Sequence, residues 1–183
     1  MRTRFGTRGL PDEVYVSWRS SMTARGGAPT RILAWARSVD GFVVGSPAAL
    51  SVGGAGVGAD PEDWRHVGWH EIEHGGWNAE ARSLSWTLYA GRRGRVELAE
   101  PGRLPELFRE RVAASIAVER FVPIRGERGV TVTARRDLGA SGALTWHSSL
   151  TRGLSWSGEG VAEEVARASA ELQSEYGSTP QGW

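Results

Sequence analysis

The sequence contains no cysteine. Disulfides, thiolate nucleophiles and cysteine-ligated metal sites are therefore excluded. It has no lysine either; all 22 basic residues are arginine. That removes a Schiff-base lysine and a phosphate-loop lysine. Alanine, glycine and arginine abound throughout, which fits a GC-rich coding sequence as the cause. No apolar run approaches the roughly 18 residues that span a bilayer. The charged start is not followed by the apolar stretch of a signal peptide. The formal net charge is only +1, so no global field draws nucleic acid or membrane. The expected compartment is the cytoplasm. No Gly-x-Ser-x-Gly elbow occurs, and Ser141 and His147 lie in contexts too plain to form a triad.

What is present is unevenly spread. Arg2, Arg4, Arg8, Arg19, Arg25 and Arg31 make the start basic, and Glu159, Glu163, Glu164, Glu171 and Glu175 make the end acidic. Nine tryptophans stand at 18, 35, 64, 69, 77, 86, 146, 156 and 183. Several fall in strand-like stretches, where aromatics pack well across a sheet, so core packing is their expected work.

The one string with an enzymatic spelling is His70-Glu71-Ile72-Glu73-His74. In H-E-x-x-H proteases two histidines one helical turn apart hold zinc, and the glutamate is the general base. Here that assigns His70 and His74 to the metal and Glu71 to the base. The neighbours oppose a helix. Gly68 precedes the string, Gly75 and Gly76 follow it, and each glycine costs about 1 kcal/mol relative to alanine in a helix. A third ligand is also missing where one extension of the motif requires it, since positions 77 and 80 are Trp77 and Glu80. Glu97 and Glu100 lie in strand-like sequence, and His147 is remote.

The following residues alternate instead. Leu84, Trp86 and Leu88 interleave with Ser83, Ser85, Thr87 and Tyr89, the period of a half-buried strand. The expectation is a hairpin of 67–77 with 83–90, whose first strand needs a bulge or two buried faces because Val67 and Trp69 differ in parity from Ile72. On that strand His70, Ile72 and His74 would share one face and Glu71 and Glu73 the other. The spelling is then a coincidence, and no cofactor is expected.

Residues 1–29 read as a disordered basic extension, with Met22 as the expected true start. Strands are expected at 31–37, 42–45 and 48–52, joined by a tight turn at Asp40-Gly41. The glycine-rich stretch 53–59 contains G-x-G-x-x-A, but Asp60-Pro61 follows where a dinucleotide site needs a helix, so it reads as a loop. A strand at 95–99 follows a turn bearing Arg92, Arg93 and Arg95, the compact basic cluster and a candidate anion site. Leu104, Leu107, Phe108, Val112 and Ile116 then fall at helical spacing behind Pro105, predicting an amphipathic helix over 105–118. Strands resume at 121–124, 130–136 and 144–150. A last helix is expected over 158–176, capped by Ser157, with a Glu163–Arg167 pair and Gly177 at its end.

Short antiparallel strands closed by an amphipathic helix make an α+β pattern. Three stretches carry a resemblance: Ile32-Leu33-Ala34-Trp35-Ala36-Arg37 with Asp40-Gly41; Trp69, Glu71-Ile72, Trp77 and Leu84; and Leu104-Pro105-Glu106-Leu107 with Arg111-Val112 and Ser115-Ile116. Together they resemble a group of small actinobacterial proteins whose first part is similar to pleckstrin-homology-like (PH-like) or GRAM-like modules. The resemblance covers about residues 30–118. It implies a curved sheet of about seven strands with a helix plugging one end, and a binding or scaffold role without catalytic residues. The long loop at 53–59 and the N-terminal extension depart from it. Residues 119–177 are expected to add strands and a helix to the same core, and 178–183 a tail. The leading expectation is a non-catalytic module that contacts a protein, or weakly an anionic lipid, through its loops. The alternative is a zinc-dependent hydrolase using 70–74. Nucleic-acid binding through the N-terminal arginines lacks a reading motif.

Overall fold

The computed structural model describes residues 9–26, 31–53 and 60–177. The expectations placed on Arg2, Arg4, Arg8, the G-x-G-x-x-A stretch and the 178–183 tail lie outside the described residues. The chain divides into two compact units. One comprises the residues up to Ser115 together with Arg136–Ala143, and the other Ile116–Arg135 and the residues from Leu144 onward.

The first unit is an α+β structure around one curled antiparallel sheet. Its strands are β1 (Ala34–Ser38), β2 (Gly41–Gly45), β3 (Ala49–Gly53), β4 (Arg65–Gly68), β5 (Ile72–Asn78), β6 (Ser83–Leu88) and β7 (Arg93–Glu100). They are hydrogen-bonded in the order β4-β3-β2-β1-β7-β6-β5. The two edge strands, β4 and β5, are also consecutive in the chain, joined by a single 3-10 turn at Trp69–Glu71. Three residues reach at most about 10 Å when extended. The edges must therefore approach each other, and the sheet curls into an open barrel.

Pairing parity explains what fills it. Ala36 pairs with Val43 and Val43 with Val52, whereas Trp35 pairs with Val44 and Val44 with Ser51. The first set faces inward with Leu50, Ile72, Leu84 and Leu98, and the second faces out. Val43 and Val44 are nonetheless both fully buried. The outer face is covered by helix α1 (Asp12–Ala24), whose Val14, Trp18 and Met22 pack with Leu10, Ile32, Val44 and Trp64. Residues 12–24 are thus a docked helix, which corrects the expectation of a disordered extension. A chain begun at Met22 would lack Val14 and Trp18 and leave Val44 and Trp64 uncovered.

Helix α2 (Leu104–Ala114) enters with Pro105 in its first turn and drives Leu104, Leu107 and Phe108 into the inner core. It stops short of the expected 118. Ser115 is fully buried and its hydroxyl donates to the Val112 carbonyl, and Ile116 already opens the next strand.

The second unit has a three-stranded sheet in the order β10-β9-β8, with β8 at Ile116–Arg125, β9 at Arg128–Arg136 and β10 at Leu144–Leu150. Helix α3 (Val161–Gly177) follows. Val130, Val132, Val161, Val165 and Leu172 form a cluster of their own. Helix α3 begins after Ser157, whose hydroxyl bonds Ser155 and caps nothing, and Arg167 pairs with Glu164 rather than Glu163. Among the described residues, no helix is long and apolar enough to cross a membrane.

Candidate functional site

The string at 70–74 does not lie on a helix. Its first two residues belong to the 3-10 turn and its last three to β5. Nor is it the continuous strand expected from the sequence. Gly68 ends β4, which pairs with β3 and not with β6. The Glu71 carboxylate turns back to accept the Gly68 N–H at 2.6 Å, and the turn swings Trp69 into the core. The expected hairpin survives from Ile72 to Asn78 against Ser83–Leu88.

Its bulge falls at Glu73. Ile72 pairs with Leu88, but His74 pairs with Thr87 and Gly75 with Trp86. Ile72 therefore faces inward and His74 outward, so the expectation that they share a face is corrected. Gly75 could not carry a side chain there, since a Cβ would sit 2.6 Å from the Ser85 carbonyl oxygen and 2.8 Å from the Phe108 ring.

The histidines consequently part company. His74 is 70 % exposed and lies 3.8 Å from the Glu73 carboxylate. The Nδ1 of His70 lies 3.7 Å from Asp137. Burial pushes the Asp137 carboxyl up, but the Ser141 hydroxyl, the Gly139 N–H and His70 outweigh it and hold it below the ordinary value. Ser141 bonds the carboxylate, not the His70 imidazole, so Ser141 is not activated here. Among the described residues, no three His, Asp or Glu side chains gather closely enough to hold a metal ion.

A different site emerges at the mouth of the curled sheet, as a cleft of about 620 Å³. Its inner wall on one side is Val52, Arg65 and Val67, which share a face by the β3–β4 register. The opposite wall is Trp86, Leu88 and Gly94 of β6 and β7. Arg92 comes from the turn between them, Arg25 from the end of α1, and Glu71 from the 3-10 turn. Arg93 and Arg95 alternate with Gly94, pair with Thr87 and Ser85, and form the rim. All five arginines are exposed, and Glu71 is the one carboxylate on the lining. The cluster Arg92, Arg93 and Arg95 read from the sequence thus borders a real cavity. Arg25 and Arg65 are not legible as part of this cluster, because they reach the cleft only through α1 and through the pairing of β4 with β3. The alternation of Arg65 with Val67 was the available signal for the second.

Gly94 shapes the wall. A Cβ there would meet three indole atoms of Trp86 at 2.2 to 2.6 Å. Gly94→Ala must push the indole toward the cleft or part the strands, and is expected to cost about 1–3 kcal/mol. Chemical denaturation checks it; an unchanged midpoint would contradict the packing.

His66 joins α1 to this wall from behind. Its Nε2 meets the Ser21 hydroxyl and its Nδ1 the Ser51 hydroxyl, each at 2.8 Å. Ser51 also accepts the Trp18 indole N–H, and Arg25 donates to the His66 carbonyl. Burial first, and the Arg25 charge second, lower the His66 pKa from 6.5 to about 4. The unfolded chain therefore takes up this proton before the folded one. Stability from this group is level above about pH 6.5, falls between there and about pH 4, and levels again below. The ring is only half-buried, so solvent screening limits the loss by pH 5 to about 1 kcal/mol. Urea midpoints of the wild type and His66→Gln should converge as pH falls from about 7.5 to about 5; parallel profiles would contradict it.

No family model, curated protein or solved structure matches this chain.

Proposed function

We propose that the chain is a non-catalytic binding module, PH-like in its first unit, that engages a protein partner in the cytoplasm. The observation that carries this is the open, arginine-rimmed cleft at the mouth of the curled sheet. The seven-stranded order followed directly by α2 supports the PH-like reading. The splitting of His70 and Glu71 from His74 by the turn and bulge speaks against the hydrolase.

Protein purified without a histidine tag is expected to carry zinc well below one equivalent, unchanged in His70→Ala/His74→Ala. Stoichiometric zinc lost in that variant would overturn the module in favour of the enzyme. Hydrogen exchange of the chain with a recovered partner should show new protection at β4 and at the β6–β7 turn. Protection confined to the second unit would also defeat this reading.

A further inference from the structure

The geometry points to the cleft as the seat of an acidic peptide segment that carries an apolar residue, a statement that rests on the protein-binding reading above. Charge is the first argument. Arg25, Arg65, Arg92, Arg93 and Arg95 border the cleft against the single carboxylate of Glu71, which is already engaged by the Gly68 N–H. None of the five makes an ion pair with another described residue. An acidic partner can therefore pair with them without displacing an existing ion pair.

Shape is the second argument. The arginines come from the end of α1, from β4, and from the β6–β7 turn and strand, so they surround the cavity instead of converging on one point. A compact anion such as phosphate meets only a few of them and leaves the half-buried Val52 and Val67 uncovered. A cavity of about 620 Å³ has room for a side chain and its flanking backbone. An extended segment places an apolar side chain against Val52 and Val67 while carboxylates on either side reach the rim. Long-range attraction then speeds encounter, and the buried side chain sets the residence time.

The test uses the full chain and a labelled synthetic peptide in which aspartates and glutamates flank a central Leu-Phe pair. Fluorescence anisotropy should show saturable binding that weakens with salt. The exposed pair Arg65→Glu/Arg92→Glu should weaken it at least about tenfold. Arg103→Glu/Arg109→Glu, at exposed positions just before and within α2 and outside the cleft, should change it less than about twofold. Replacing Leu-Phe by Ser-Gly in the peptide should weaken binding at least about fivefold. Circular dichroism confirms that the variants are folded. Four outcomes would overturn the inference: no binding, indifference to the Arg65/Arg92 reversal, equal binding of the Ser-Gly peptide, or binding only to inorganic phosphate or phosphatidylserine vesicles. A native protein partner that still binds Arg65→Glu/Arg92→Glu removes this cleft but leaves the module standing; stoichiometric zinc at His70 and His74 removes the module itself.

Discussion

Trp69→Ala is expected to destabilise the first unit by about 3–5 kcal/mol, as large aromatic truncations in cores do. Trp69 is fully buried and packs edge-on against Phe108 of α2, with ring centres 6.0 Å apart. Its indole N–H donates to the buried Ser46 carbonyl at 2.9 Å, and its backbone N–H to Ala48. It is also the first residue of the three-residue link between the two sheet edges. One substitution therefore opens a cavity, strands a buried carbonyl and loosens the closure of the curled sheet. Such a loss is a large share of the 5–15 kcal/mol typical of a domain. Urea unfolding followed by tryptophan fluorescence reads it. Trp69→Phe restores the ring but not the hydrogen bond and should fall between. Trp156→Ala, at a side chain 51 % exposed, should stay within about 0.5 kcal/mol. A Trp69→Ala loss no larger than that of Trp156→Ala would show that this closure is not as described.

Where local pattern and tertiary structure agree, the sequence was legible. The alternation of Leu84, Trp86 and Leu88 marks β6 because one face of that strand is buried. The helical spacing of Leu104, Leu107 and Phe108 marks α2 because one stripe of it faces the core. The string at 70–74 was legible only in the negative: its glycines argue against a helix. Its real shape depends on partners far along the chain. The turn is held by the Glu71 carboxylate, and the bulge at Glu73 is defined by which residue meets Leu88 and which meets Thr87. Helix α1 carried a signal that was overlooked. Leu10, Val14, Trp18 and Met22 recur every fourth residue and all four are buried. Serines at 17, 20 and 21 and the arginine- and glycine-rich flanks concealed it, since serine favours caps and turns over helix interiors. Two of those serines are the buried partners of Trp64 and His66. The cleft was half-legible for the same reason. Arg92, Arg93 and Arg95 are neighbours in sequence, while Arg25 and Arg65 become neighbours only when α1 docks and β4 pairs with β3.

Trp18→Ala should release α1, at a cost of about 3–5 kcal/mol to its docking. The side chain is 1 % exposed and its N–H is bonded to Ser51 in the network that also holds His66. A helix of 13 residues is marginal in water without packing, so an undocked α1 melts. The inner core contains no residue of α1, and Val43, Leu50, Leu84 and Leu98 keep their contacts when it leaves. The expected result is therefore partial unfolding: hydrogen exchange should lose protection over 12–24 and at the β3–β4 pair, while β6 and β7 retain theirs. Loss of protection across all seven strands would mean that α1 and the sheet form one cooperative unit. Release of α1 also frees Arg25 from the His66 carbonyl and takes one of five arginines from the cleft. The acidic peptide should then bind severalfold more weakly, yet less weakly than to Arg65→Glu/Arg92→Glu, which reverses two charges and spares the helix. That ordering separates the two contributions of α1: it covers the outer face of β2 and β3, and it completes the rim of the cleft.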